Sequence, residues 1–133
     1  MAKTPTLNAG LLSGGADALR LVADALPPRT SIRQVLAILE VFAANAGGKS
    51  ITMSDLRESA SGVKSGESVK VVGQSIAKTF EIFYEPTKAN PDWLGWVRQE
   101  LDDNDRRIKY LRLTKKGEAV ATAIQAALTK GAK

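Results

Sequence analysis

The 133-residue chain contains neither cysteine nor histidine. Without cysteine it has no disulfide, no thiolate nucleophile and no thiolate metal site. Without histidine it also lacks the usual general base near neutral pH, the Ser-His and Cys-His catalytic pairs and the commonest zinc ligand. These absences argue against an enzyme, and we expect a protein that works without a cofactor or a metal.

Aromatic residues and long apolar runs are also scarce. Aromatics make up 5% of the chain, whereas 44% of it is hydrophobic and 25% is charged, the composition of a folded globular protein with an aliphatic core. No segment approaches the ~20 apolar residues of a membrane span, and the N-terminus lacks the apolar core of a signal peptide. We therefore expect a cytoplasmic protein of one domain with no membrane contact.

Acidic residues are fewer than basic residues. The chain has 14 acidic and 19 basic residues, giving a formal net charge of +5. This balance favours a polyanionic partner such as a nucleic acid, although a basic surface that only maintains solubility has the same composition.

The first two predicted elements are a tail and a helix. Residues 1–10 show no periodicity and are expected to form a flexible N-terminal tail. Apolar residues then recur at helical spacing over 15–26, and Pro27 and Pro28 end this first helix because proline lacks an amide hydrogen.

The next two helices each begin at a capping signal. Ser31 and Gln34 have the spacing of a capping box, and the helix that they open should end at the glycine pair 47–48. Thr52 opens a short third helix, with Asp55 placed to complement the exposed amides of its first turn.

A fourth helix is predicted by an apolar stripe with steps of three or four residues. The stripe consists of Val69, Val72, Ile76, Phe80 and Phe83. The opposite face carries short polar and basic side chains that could read a DNA groove, although an ordinary solvated helix has a similar face. The candidates for base recognition are Ser68, Lys70, Gln74, Ser75 and Lys78.

After a loop rich in proline and polar residues, the apolar period changes to two. Segments 96–101 and 108–113 are predicted to form an antiparallel hairpin around the charged loop 102–107. Thr114 then caps a last helix over 115–128, and residues 130–133 are expected to fray.

The order of elements predicts the fold class. A short helix, a longer helix and a β-ribbon in succession are typical of a winged helix, in which the second helix enters the major groove of DNA. We therefore predict a mainly α protein with a small antiparallel β-ribbon, a winged helix-turn-helix with flanking N- and C-terminal helices in a single domain over 11–129.

One motif in the hairpin is more specific. Residues 105–117 resemble the wing signature of the MarR family of transcriptional regulators, D-x-R-x-x-x-L-x-L-T-x-x-G. The six fixed positions are matched by Asp105, Arg107, Leu111, Leu113, Thr114 and Gly117. Close similarity covers about 94–128, and relative to the family the segment 81–91 resembles an insertion.

The resemblance implies a sequence-specific regulator of double-stranded DNA, with one helix in the major groove and the wing in the minor groove. It also implies a homodimer formed through the helices at 15–26 and 115–128. Within the wing, Arg107 is suited to the narrow minor groove, and Asp105 could orient it through an ion pair. Arg106 and Lys109 are candidates for phosphate contacts, whereas a charged hairpin exposed to solvent is the structural alternative.

Other functions are compatible with the same fold. A winged-helix module that binds protein, or a plasmid or phage replication or partition factor, would have the same order of elements. A metal-dependent nuclease would require Asp102, Asp103 and Asp105 to bind a cation, but their spacing does not fit an EF-hand and two arginines follow them.

The aromatic residues concentrate between positions 80 and 96. They could line a pocket for a small-molecule effector or a surface for a partner, but we favour packing in a satellite of the core. The residues concerned are Phe80, Phe83, Tyr84, Trp93 and Trp96.

Overall fold

The computed structural model describes residues 6–60 and 76–132. The predicted fold class is confirmed: the chain is mainly helical, with a two-stranded antiparallel sheet and flanking helices, an arrangement compatible with a winged helix. The elements are α1 (Ala9–Ala25), α2 (Ile32–Ala46), α3 (Met53–Ala60), α4 (described over 76–79), the 3-10 helix Phe80–Phe83, β1 (Val97–Leu101), β2 (Lys109–Leu113) and α5 (Lys115–Ala132). No helix within 6–60 or 76–132 is long and apolar enough to cross a membrane.

Contacts divide the chain into two compact units. One unit is Met1–Pro28 together with Val120–Lys133, and the other is Arg29–Ala119. The second unit contains the helices and strands of the winged-helix pattern, from α2 to the first turn of α5. Organisation of the whole chain as one domain stays a prediction.

Both flanking helices are longer than the sequence indicates. α1 begins at Ala9 because the Oδ1 atom of Asn8 accepts a hydrogen bond from the backbone N–H of Leu11 at 3.0 Å and so caps the helix. The predicted start at residue 15, and the assignment of residues 9 and 10 to the tail, are therefore wrong. At the other end of the chain α5 continues to Ala132, so the backbone over 130–132 is helical rather than frayed.

The predicted caps of α2 are confirmed. The hydroxyl of Ser31 accepts the Gln34 N–H at 3.2 Å, and the Gln34 side chain accepts the Ser31 N–H at 2.7 Å. At the C-terminal end Gly48 has a φ of 71°, a conformation that side chains disfavour, and the chain turns there towards α3.

The start of α3 is also as predicted. Thr52 and Asp55 exchange backbone-to-side-chain hydrogen bonds of 3.0 and 3.2 Å, which complete a second capping box. Leu56 on this helix is completely buried, so the short helix is fixed by both its cap and its packing.

The hairpin has the predicted strands to within one residue at their starts. β1 and β2 pair antiparallel from Val97 opposite Leu113 to Leu101 opposite Lys109. Val97 and Leu111 are fully buried on the inner side of this ribbon.

A third stretch of extended chain was not foreseen. The Leu111 N–H donates to the carbonyl of Ile51 at 2.8 Å, and Thr52 forms an isolated bridge with Tyr110. The Asn45 side chain adds a further link, since its amide donates to the Leu111 carbonyl at 3.2 Å. These bonds attach the ribbon to the end of α2 and the start of α3.

Three of the five clustered aromatic residues belong to the core of this unit rather than to a satellite of it. Phe80, Phe83 and Trp96 are buried to within 2% exposure, and the Trp96 ring lies 5.6 Å from Phe83 and 6.1 Å from Phe42 between ring centroids. The chain leaves this cluster after Phe83 and rejoins it at Trp96, whose N–H donates to the Phe83 carbonyl at 2.8 Å. Phe83, near the start of the predicted insertion, is buried, whereas residues 85–89 and Pro91 are exposed.

The junction between the ribbon and α5 explains two positions of the sequence motif. The Thr114 hydroxyl donates to the Gly95 carbonyl at 2.6 Å and accepts the Gly117 N–H at 3.0 Å, so it caps α5 as predicted. A Cβ atom on Gly117 would overlap the carbonyl oxygen of Trp96 and lie 2.9 Å from its carbonyl carbon. Only glycine permits this approach of helix to strand.

Candidate nucleic-acid interface

The wing, defined here as residues 97–113, ends in a tight loop. Beyond the last pair of strand residues, the Asp102 N–H donates to the Ile108 carbonyl at 3.0 Å, and the Ile108 N–H donates to the Asp105 carbonyl at 3.0 Å. These bonds close the loop at its base and hold the backbone of 105–108 in a turn.

Arg107 and Asp105 form the predicted ion pair in a two-point geometry. The Nε and Nη2 atoms of Arg107 each donate to one carboxylate oxygen of Asp105 at 3.1 Å, and the Arg107 backbone N–H donates at 3.0 Å. The arginine side chain is nevertheless 91% exposed. One edge of the guanidinium is thus held by Asp105, and its remaining N–H donors face solvent.

The same contacts affect the charge of the acid. Hydrogen bonds from the Arg107 side chain and backbone hold the pKa of Asp105 below its usual value. Asp105 is therefore ionised at neutral pH and orients the Arg107 guanidinium as a charged hydrogen-bond acceptor.

A second carboxylate, which sequence reasoning did not single out for this role, organises the loop. Asp102 accepts hydrogen bonds from the backbone N–H groups of Asn104 at 2.8 Å and Asp105 at 3.0 Å, and from the Tyr110 hydroxyl at 2.7 Å. These donors, Tyr110 foremost, lower the pKa of Asp102. The accepted hydrogen bond in turn raises the pKa of Tyr110.

Two further cations lie in or next to the loop. Arg106 and Lys109 are exposed, and neither forms an ion pair with any residue in the described part of the chain. Lys78 is exposed on the described end of α4. The other recognition candidates, Ser68, Lys70, Gln74 and Ser75, lie outside the described residues, and their roles stay predictions.

Two arginines of the ribbon have a different environment. Glu100 accepts hydrogen bonds from Arg112 at 3.2 Å and from Arg98 at 3.5 Å. Arg112 also donates to the Ser50 hydroxyl at 3.3 Å and lies over the Tyr110 ring, 5.3 Å from its centroid. These contacts attach the ribbon to the chain before α3. Arg112 therefore has a structural role, unlike the exposed Arg107.

A cleft of about 710 Å³ lies beside the wing. Arg57, Tyr84, Trp93 and Lys109 are among its lining residues. Burial raises the pKa of Tyr84 to about 12, and its hydroxyl accepts a hydrogen bond from Gln99 at 3.2 Å. Two of the five clustered aromatics thus face a cleft, while the other three belong to the core; an effector for this cleft stays a prediction.

The acidic residues of the wing are poorly arranged for a metal ion. Asp102 and Asp105 direct their carboxylate oxygens at N–H and O–H donors within the loop. Over 6–60 and 76–132 no cluster of three or more acidic residues is placed to hold a cation. The geometry gives the nuclease alternative no support.

No family model matches the chain, and no curated protein or solved structure is detectably similar to it. The likeness to the MarR wing signature therefore stays a prediction from the sequence of residues 105–117.

Proposed function

We propose that the protein is a sequence-specific regulator that binds double-stranded DNA, with the wing in the minor groove and α4 in the major groove. The observation that carries this proposal is the exposed Arg107 held by Asp105 at the tip of the ribbon. A MarR-like transcriptional role and a cytoplasmic location form part of the proposal.

The wing has the properties that a minor-groove contact requires. A narrow minor groove concentrates negative potential and attracts arginine side chains inserted into it. Arg107 is directed by two hydrogen bonds, so less side-chain freedom is lost on binding than for a freely rotating arginine. Arg106 and Lys109 supply positive charge on either side of it for phosphate oxygens.

The described end of α4 fits a helix that packs with one side and exposes the other. Ile76 is buried, whereas Lys78 is exposed. The Gln34 side chain donates to the Thr79 carbonyl at 3.0 Å, which attaches the end of α4 to the start of α2. The contacts of this helix with bases remain part of the proposal, since its earlier residues lie outside the described ranges.

A second copy of the chain is the proposed partner. α1 buries one side through Gly14, Ala18 and Val22 and exposes a second apolar stripe. The members of that stripe, each about one helical turn from the next, are Leu12, Ala16, Leu19 and Ala23. Pairing of this stripe in a homodimer would cover its leucines, and a dimer would offer two wings to a pseudo-palindromic site.

The proposal is tested by the salt dependence of DNA binding. Affinity for a random-sequence duplex is measured by fluorescence anisotropy at several salt concentrations for wild type, Arg107→Ala and Arg20→Ala. Arg20 is a matched control, because it is also an exposed arginine in an ion pair, with Asp17 at 2.9 Å. We expect Arg107→Ala alone to reduce the slope of log affinity against log salt by ~1.

Two results would contradict the proposal. Equal slopes for the two variants would remove Arg107 from the interface. Failure of wild type to bind duplex DNA at low salt would favour the protein-binding module instead.

A further inference from the structure

The loop of the wing contains a relay of hydrogen bonds that starts on β2. The Tyr110 hydroxyl donates to Oδ2 of Asp102 at 2.7 Å, while Oδ1 of the same carboxylate accepts the Asp105 backbone N–H at 3.0 Å. The Asp105 carboxylate then holds Arg107. Asp102 is the only acid of the described wing loop that connects the strand to this ion pair.

The relay connects strand β2 to the backbone of the loop at residues 104–105. Tyr110 is half-buried on β2, so its ring is held by the strand and can fix the position of Asp102. The two loop amides bound by Asp102 set the backbone of 104–105, and that backbone sets the position of the Asp105 side chain. Arg107 is 91% exposed, and within the described residues its side chain hydrogen-bonds only to Asp105.

We propose that Asp102 is a positioning residue for DNA recognition, which sets the direction of the Arg107 guanidinium through the Asp105 backbone. The inference rests on the proposed function for its DNA-binding consequence, although the positioning itself is a property of the free protein. An acidic residue near DNA would ordinarily weaken binding through repulsion of phosphates. We therefore expect the positioning effect of Asp102 to strengthen DNA binding although its negative charge weakens it.

This opposition of effects gives a sharp test. Asp103 adjoins Asp102, is exposed and forms no hydrogen bond or ion pair in the described part of the chain, so Asp103→Ala removes the same charge without touching the relay. Charge alone predicts that both Asp102→Ala and Asp103→Ala bind duplex DNA more tightly than wild type. Positioning predicts that Asp102→Ala binds roughly threefold to tenfold more weakly, through loss of preorganisation, while Asp103→Ala does not.

Two further variants separate positioning from general damage. Asp102→Asn keeps an oxygen that can accept the loop amides, and we expect it to restore most of the lost affinity. In an Arg107→Ala background Asp102→Ala should cost nothing more, because the side chain that it positions is already gone. An equal loss in both backgrounds would overturn the proposal.

Nuclear magnetic resonance provides a readout that does not depend on DNA. In free wild-type protein the Arg107 Nε–H resonance should be slow to exchange with water because Asp105 holds it, and it should remain so in Asp103→Ala. In Asp102→Ala, and more mildly in Tyr110→Phe, its exchange should accelerate. Unchanged exchange in Asp102→Ala would overturn the positioning role even if wild type binds DNA, whereas absence of binding by wild type would overturn the proposed function instead.

Discussion

Replacement of Gly117 by alanine should destabilise the protein, although alanine is the better helix former. The new methyl group would overlap the carbonyl oxygen of Trp96 and lie 2.9 Å from its carbonyl carbon. Both atoms belong to backbone, so the strand or the first turn of α5 must move. Such a movement would also strain the 3.0 Å hydrogen bond from the Thr114 N–H to the same Trp96 carbonyl.

The magnitude follows from three effects. Overpacking of a buried site costs about 1–3 kcal/mol, and a weakened backbone hydrogen bond costs about 1 kcal/mol. Against these, alanine gains up to about 1 kcal/mol over glycine in helix propensity. We expect a net loss of about 2 kcal/mol in the free energy of unfolding and a fall in Tm of roughly 5–10 °C.

Gly15 provides a control of opposite sign. It lies inside α1, and a Cβ atom added there would meet nothing within 4 Å. Gly15→Ala should therefore stabilise the protein by up to about 1 kcal/mol. Urea titrations followed by circular dichroism measure both variants, and a Gly117→Ala variant as stable as wild type would refute the close approach of α5 to Trp96.

The remaining predictions concern the tyrosines and the surface of α1. Because burial raises the pKa of Tyr84 to about 12, its contribution to stability is fully present below about pH 10 and is lost as the pH rises towards 12. In a Tyr110→Phe variant, Tyr84 is the remaining tyrosine, and its absorbance should report this late titration. Adding Tyr84→Phe should remove about 1 kcal/mol of the loss of stability at alkaline pH, a value reduced for solvent screening. A titration at the usual tyrosine pKa would contradict the burial of Tyr84. Light scattering should show a dimer that Leu12→Ser with Leu19→Ser dissociates, whereas Leu7→Ser, at an exposed site before α1, leaves it intact; a monomeric wild type would contradict the dimer.

Features encoded by neighbouring residues were predictable from the sequence. The capping boxes at Ser31 and Thr52 depend on side chains three residues apart, and the ion pair of Asp105 with Arg107 spans two residues. The ribbon followed from a period of two flanking a polar loop. In each case local geometry brings the partners together whatever the rest of the fold does.

The start of α1 was predicted wrongly because the local helix signal there is weak. Asn8 is an ordinary N-cap residue, but the glycines at 14 and 15 lowered the expected helicity of the segment that it opens. Packing compensates for this, since Gly14 is buried within α1. Tertiary contacts therefore outweigh intrinsic propensity at this end of the chain.

Other features depend on residues far apart in sequence and could not be read from a local pattern. The bond between Leu111 and Ile51 joins segments that lie on either side of α3 and β1 in the sequence. Among three nearby acids, only the folded loop distinguishes Asp102, because Tyr110 reaches it from the opposite strand. The motif likewise includes Gly117, but the Trp96 backbone that requires it is apparent only in three dimensions.

Binding of wild-type protein to duplex DNA tests the central claim most directly. Affinity for a random-sequence duplex, titrated from low to physiological salt, should fall steeply as salt rises, with a slope that reflects the phosphates contacted. Selection of bound duplexes from a random pool should then return two half-sites about one helical turn apart. No binding at low salt, or an affinity independent of salt, would contradict the account.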